Sequence, residues 1–415
     1  MADQDATGDT TGSRLNTREA ADRLGVKPET VYAYVSRGQL TSRREPGGRG
    51  STFDAKEVDA LARRGNRREP SGSGGELTVR TGITLIDSDH CYFRGVNTSE
   101  LAAHYGYEEV AEWLWTGEMR RGIRFTAPPD ALTAARRAVQ ALPEHSGPMD
   151  RLRVAVIAAA AADPLRFDLS EDTVLDTARS LIPTLVDALP SQTNTQPDAD
   201  SLAPRLWSRL TTAPADPAAL RVLDAALVLL IDHDLAASTL AVRVAASARA
   251  HPYAIVSAGF GALDGALHGA ASGLAHRMLH EVLERGSAAA VVADHLRAGR
   301  RVPGLGHRLY PGEDPRARAL FTLLEDVPGA LPALQAARQV IATTARHTEL
   351  HANVDLALAV LTVSAEMPAE AGETVFAIAR TAGWIAHALE EYGERPLRMR
   401  PSGQYQGPRP PQPVP

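Results

Sequence analysis

Residues 217–250 read PAALRVLDAALVLLIDHDLAASTLAVRVAASARA. Apolar side chains recur along this stretch at i, i+3 and i+4, the period of a helix that buries one face. DALTAARRAVQAL, MDRLRVAVIAAAAA and SEDTVLDTARSLIPTLVDAL carry the same period. Ala, Leu and Val dominate and aromatics make up only 5%, which favours helix over sheet. The spacing therefore predicts a mainly α body. Only TVRTGITLID, 78–87, alternates like one strand of a hairpin. A protein built of helices places its polar chemistry at helix ends and in the loops between them. Polar residues inside apolar runs, such as His233 between Asp232 and Asp234, are therefore informative.

The 415 residues suggest two to four structural units. With 44% hydrophobic and 23% charged residues the balance is that of a globular protein with a sizeable core. A net charge of −6 argues against a chain that binds polyanions over its whole surface. The single cysteine, Cys91, excludes an internal disulfide and any cysteine-based metal cluster, so no metal site is expected. The first residues, MADQDATGDTTGSR, lack the basic start and apolar stretch of a signal peptide. The most apolar run, AALVLLI at 225–231, is too short to span a bilayer. A cytoplasmic protein with no membrane partner is the expectation.

NRREPSGSGG, at 66–75, marks a boundary, with the linker taken as 66–76. Residues 1–13 read as a disordered tail and the proline-rich 409–415 as another. Between the first tail and the linker, Thr17 can cap a helix over REAADRL that Gly25 ends. A second helix starts at Pro28 and runs to Gly38, and LTSRREPGGRGSTF then reads as two short strands around a Gly-rich turn. Asp54 and Glu57 make a capping-box-like start for a third helix. This is the layout of a winged helix-turn-helix over 14–65. LNTREAADRLGVKPETVYAYVSRGQL resembles the start of the MerR and excisionase family.

Residues 14–69 hold thirteen Arg/Lys against eight Asp/Glu, a net of +5 on an acidic protein. That is the footprint of a phosphate-binding face. Thr30, Tyr32, Tyr34 and Arg37 on the second helix, with Arg43, Arg44 and Arg49 on the hairpin, are the candidate DNA contacts. The plainer alternative is a module kept for packing or dimerisation.

Four places in the body combine polar and apolar character: IDHDLAAST (231–239), GALDGALHGAAS (261–272), GLGHRLYPGEDPR (304–316) and HANVDLALAV (351–360). Singly, each fits a satisfied core residue or a helix cap. Together they offer histidines to donate hydrogen bonds, one carboxylate to accept a proton, and arginines to hold a di-acid. That set suits proton removal next to a carbonyl.

The segments GALHGAAS, VPGLGHRLYPGEDPRA, NVDLALAV and ARTAGWIAHALEE, followed by RPSGQYQGP, resemble the citrate synthase family in order and approximate spacing. YFRGVNTSELA (92–102), YEEVAEWLWTGE (107–118) and GPMDRLRVAV (147–156) resemble it more weakly, so the likeness covers about 77–408. It implies a two-domain all-helical body, the large domain from 77–267 plus 372–408 and the small one from 268–371. It implies condensation of acetyl-CoA, or another short acyl-CoA, with oxaloacetate, and no cofactor beyond the thioester substrate. By this resemblance His268 stabilises the enol, Asp355 is the base and His307 addresses the ketone. His233, Arg316 and Arg380 grip oxaloacetate, and Arg400 comes from the partner of a homodimer. The backbone of Val302, Pro303, Gly304, Leu305 and Gly306 lies where the family binds the adenine end of coenzyme A.

The chain also departs from the family. Leu230 and Ala236 stand where a histidine and an asparagine are common, and Ser402 where an arginine is often found. These changes leave the trio of His268, His307 and Asp355 intact. They leave open a 2-methylcitrate synthase that uses propionyl-CoA, and a DNA-binding regulator that senses a metabolite through a synthase body.

Overall fold

A computed structural model describes residues 14–24, 26–36, 40–44, 51–65, 79–193, 201–265, 271–399, 406–408 and 412. Both predicted tails (Gln412 apart), the linker and four of the predicted site residues, Arg37, Arg49, His268 and Arg400, lie outside these. The chain divides into two compact units, Met1–Val79 and Arg80–Pro415.

In the first unit β1 (Arg14–Asn16), α1 (Thr17–Leu24), α2 (Pro28–Ser36), β2 (Ser42–Arg44), β3 (Ser51–Asp54) and α3 (Ala55–Gly65) follow one another. The strands form an antiparallel sheet in the order β1-β3-β2, with Leu15 opposite Phe53. Leu15, Ala20, Ala21, Val31, Leu40, Phe53 and Val58 make its core. The expected helix, helix, hairpin, helix order is present, but two caps differ from expectation. Asn16, not Thr17, caps α1: its Oδ1 accepts from the amides of Arg18 and Glu19, and Glu19 accepts from the Asn16 amide. Thr17 is free to meet the Tyr32 hydroxyl at 3.2 Å. Asp54 caps α3, accepting from Lys56, whereas Glu57 turns away to bind Thr41 instead of closing the box. Strand β1 was not foreseen, because three residues carry too little alternation to read.

The second unit opens with β4 (Thr84–Asp87), β5 (His90–Phe93) and β6 (Val96–Asn97), an antiparallel sheet that includes the predicted hairpin strand. The rest is helical: α4 (Thr98–His104), α5 (Tyr107–Thr116), α6 (Pro129–Gln140), α7 (Pro148–Ala162), α8 (Glu171–Ala188), α9 (Leu202–Leu210) and α10 (Pro217–Leu229). Next come α11 (Ala237–Ser247), α12 (Pro252–Leu263), α13 (Ala271–Arg285), α14 (Ala288–Arg297) and α15 (Pro315–Leu324). A short 3₁₀ turn, Pro328–Ala330, leads to α16 (Leu331–Thr344), α17 (Val354–Ser364) and α18 (Ala371–Tyr392). Among the described residues no helix is long and apolar enough to cross a membrane.

The longest helix, α18, is the hub of this unit and packs against α5, α7, α8, α10, α11, α12, α13 and α17. Its Trp384 is fully buried against Phe260 of α12, edge to face with ring centroids 5.2 Å apart. A helix surrounded on so many sides is largely apolar, so the few polar residues it carries stand out. Arg380 and His387, seven residues apart on it, are both buried.

The stretch 217–250 is not one run. It breaks between α10 and α11, and His233 sits in the break rather than within a helix. The Leu230 carbonyl accepts from Arg380 Nε at 2.9 Å, and Asp234 takes a left-handed φ of 57°. A Cβ at Gly383 would lie 2.1 Å from the Ile231 carbonyl oxygen, so glycine there lets α18 press against the broken segment.

Candidate active site

The loop 302–314 enters between two fixed points. At Gly304, φ is +77° and a Cβ would fall 2.7 Å from Leu356 Cβ, so only glycine fits without displacing α17. Leu305 bridges antiparallel to Ala352. The Gly304 carbonyl accepts from the Asn353 amide at 3.0 Å, and the Gly306 amide donates to the His351 carbonyl at 2.7 Å. Asn353 donates through Nδ2 to the Gly306 carbonyl at 2.9 Å and caps α17 by accepting from the Asp355 amide at 3.1 Å. The loop is thereby stitched to the segment that starts α17. At its far end Asp314 caps α15, with Pro315 in the first turn.

His307 follows this stitching. Its Nδ1 accepts from the Leu309 amide at 3.1 Å, which leaves the proton of the neutral ring on Nε2. Burial, helped by the charge of Arg316, lowers its pKa to about 4, so the ring is a neutral donor near pH 7. The rings of His307 and His233 meet edge to face at 5.0 Å, and Tyr310 lies 4.9 Å from His307. His233 Nε2 shares a 2.8 Å hydrogen bond with the Tyr310 hydroxyl. Burial, with Arg316 and Arg380 close by, holds His233 well below the ordinary histidine range.

The two described arginines differ in what they have left to give. Arg316 is buried and its Nε and Nη2 bind the Asp314 carboxylate side-on at 2.9 and 2.8 Å. Asp314 also accepts from the Arg316 and Val354 amides, and the charge of Arg316 holds it below the usual carboxylate range despite its burial. Arg380 spends Nε on the Leu230 carbonyl and stacks its guanidinium 4.5 Å over Phe376, while its Nη2 is buried with no partner. Burial lowers its pKa to about 10, and Asp232 opposes that effect. An unpartnered buried guanidinium nitrogen is costly unless a ligand meets it.

Asp355 stands in the first turn of α17, where burial raises its carboxyl to about 6, against the opposing charge of Arg316. A carboxylate so raised is a stronger base than a solvated aspartate and is still ionised at pH 7. Cys91 is inert, its thiol pushed up to about 11 by burial. Among the described residues no group of three or more His, Cys, Asp or Glu is arranged to hold a metal ion.

The structure brings His233, His307, Arg316, Arg380 and Asp355 into one connected region, and bonds Gly304 and Gly306 to the segment that starts α17. His268 and Arg400 lie outside the described residues. In the first unit Tyr32 and Arg43 are exposed, Thr30 is half-buried, and Tyr34 packs against the small core. Arg37, Arg49 and the side chain of Arg44 lie outside the described residues. Sequence reasoning passed over Tyr310, Asp314 and Asn353. The last two carry a legible signal, a capping Asp or Asn just ahead of a helix that holds a site residue.

Comparisons with known proteins show the family. The citrate synthase C-terminal domain model matches residues 72–402, and a helix-turn-helix domain model matches 14–66. The chain is 29% identical over 361 residues to a citrate synthase of Haloferax volcanii, covering 81% of this chain and 95% of that one. It is 26% identical over 365 residues to 2-methylcitrate synthase 2 of Corynebacterium glutamicum, covering 81% and 94%. The citrate synthase of Thermoplasma acidophilum, solved as a ternary complex with carboxymethyl coenzyme A and oxaloacetate, superposes with a TM-score of 0.69 at 24% identity, over 82% of this chain and 96% of that one. With a family model spanning most of its length and these folds in agreement, the chain belongs to the citrate synthase family, as a transferase-type enzyme that carries a helix-turn-helix ahead of the synthase body.

Proposed function

We propose that the protein condenses acetyl-CoA with oxaloacetate to give citrate and coenzyme A. Asp355 takes a proton from the thioester methyl, and the electrons of that C–H bond form the double bond of an enolate whose oxygen His268 meets with a hydrogen bond. The enolate carbon attacks the ketone carbon of oxaloacetate, the C=O π electrons move to the ketone oxygen, and that oxygen takes the proton of His307 Nε2. Water then cleaves the citryl thioester, which makes the sequence irreversible. His233, Arg316, Arg380 and Arg400 hold the two carboxylates, and the 302–306 backbone holds coenzyme A. The large part, 77–267 with 372–408, and the small part, 268–371, are the two halves of this machine.

The observation that carries the reading is the pairing of a neutral Nε2–H donor at His307 with a basic carboxylate at Asp355 on two segments bonded to each other. A methyl next to a thioester is a weak acid, so one carboxylate suffices only when preorganised donors meet the developing charge. Purified protein incubated with both substrates should yield citrate by mass spectrometry. Absence of citrate while other acyl-CoA and keto-acid pairs also fail would sink the reading. Product from propionyl-CoA in preference to acetyl-CoA would replace it with 2-methylcitrate synthesis.

A homodimer is part of the proposal, since Arg400 is assigned to the partner's site. Ile157 of α7 and Phe167 just after it are 64% and 69% exposed, and Val244 of α11 is also exposed. Exposed apolar side chains of this size suit a second copy. Sedimentation of a monomer at micromolar concentration would count against this.

The first unit supports a second, compatible reading as a DNA-binding regulator. Its net charge of +5 over 14–69 and its exposed Arg43 and Tyr32 favour a phosphate-facing surface. DNA affinity measured with and without oxaloacetate and acyl-CoA tests regulation. Equal affinity in every case would remove it.

A further inference from the structure

A buried polar chain runs behind the site. His387 Nδ1 accepts from Arg243 Nη1 at 2.8 Å, so its ring proton lies on Nε2 and donates to Asp232 Oδ1 at 3.2 Å. Thr84 donates to the other oxygen, Asp232 Oδ2, at 2.5 Å. Arg243 is anchored in turn by Glu390 at 2.7 Å and Glu391 at 3.2 Å. Asp232, Arg243 and His387 are at most 1% exposed, so this chain is shut off from bulk solvent.

Asp232 precedes His233, its charge acts on Arg380, and it is kept below the usual carboxylate range by His387 and Arg380 despite complete burial. Its hydrogen bonds go elsewhere, one oxygen to His387 and the other to Thr84. The contrast with Arg316 is instructive, because there the counter-ion occupies the guanidinium edge directly.

We propose that His387 is a positioning residue for the keto-dicarboxylate half of the site: with Arg243 and Thr84 it fixes the Asp232 carboxylate as a counter-charge held back from Arg380, which leaves Arg380 Nη2 for a substrate carboxylate. The proposal rests on the reading of Arg380 as a substrate ligand. Without this restraint Asp232 closes onto Arg380, and the substrate must displace it. The effect falls on oxaloacetate, not on the acyl-CoA half.

The test is calorimetric binding of oxaloacetate to the full-length protein, followed by steady-state kinetics. His387→Leu should raise the oxaloacetate Kd and KM about tenfold or more, with kcat and the acetyl-CoA KM changed less than about threefold. His387→Gln, which can both accept from Arg243 and donate to Asp232, should restore most of the affinity. Thr84→Val, an isosteric change on a hairpin, should move the Kd the same way by a smaller factor, and it decides the matter if His387→Leu does not fold. Wild-type protein that binds no oxaloacetate would overturn the site reading itself. Wild-type binding left unchanged by Thr84→Val and His387→Leu would overturn the relay alone. So would a loss confined to kcat, or one equal in the Leu and Gln variants.

Discussion

Asn353 Nδ2 donates to the Gly306 carbonyl at 2.9 Å, while its Oδ1 receives the Asp355 amide. One side chain therefore ties the residue before His307 to the residue proposed as base. The ketone-facing donor and the proton acceptor cannot shift independently, which is the condition for meeting charge as it develops.

Gly304→Ala should break this coupling from the loop side. The new methyl meets Leu356 at 2.7 Å with φ at +77°, so the loop or α17 must move. A stability loss of about 1–3 kcal/mol is expected, with kcat/KM falling about 100-fold or more. Urea titration and the synthase assay check both.

Asp355 sets the pH response. With its carboxyl raised to about 6, kcat/KM should fall tenfold per unit below that pH, while His307, lowered to about 4, stays neutral down to about pH 5. Asp355→Asn should cut kcat by about 10²–10⁴. It should also stabilise the fold. A raised folded-state pKa means that the native protein binds the extra proton between about 4 and 6, so wild-type stability falls as pH rises through that window and stays lower above it. The advantage of the variant should open across the same window to about 2–3 kcal/mol, and paired denaturation curves at pH 4 and pH 8 measure it.

The two arginines should separate folding from binding. Arg316→Leu leaves Asp314 buried without its counter-ion and should cost about 3–5 kcal/mol. Arg380→Leu leaves Asp232 bonded to His387 and Thr84, so most of the loss should fall on oxaloacetate affinity. Thermal melts beside oxaloacetate titrations distinguish them, and equal melting losses would contradict the contrast.

For the first unit, the logarithm of DNA affinity should decline linearly with the logarithm of salt, and Arg43→Ala should lower that slope by about 1. Fluorescence anisotropy over a salt series reads the slope directly. A slope unchanged by the substitution would remove Arg43 from the phosphate-facing surface.

Much of this was legible in the residues. Helical period gave the α body because buried faces repeat faithfully along a helix, and the family resemblance supplied the candidates His233, His307, Arg316, Arg380 and Asp355. The break at His233 was not legible. Its causes, the Leu230 carbonyl spent on Arg380 and the closeness of Gly383 to Ile231, come from α18, some 150 residues away in sequence. The relay through His387 was hidden for the same reason, since a lone histidine in an apolar helix reads as core until its partners are seen. The caps at Asn16 and Asn353 were readable, but Thr17 offered a rival for the first.

The central claim is that Asp355 and His307 act on an acyl-CoA and oxaloacetate. Free-thiol release measured with acetyl-CoA plus oxaloacetate, for the wild-type protein and Asp355→Asn side by side, tests it most directly. The account predicts steady turnover that requires both substrates and nearly vanishes in the variant while oxaloacetate binding persists. Turnover unaffected by Asp355→Asn, or none in the wild-type protein with either acetyl-CoA or propionyl-CoA, would contradict it.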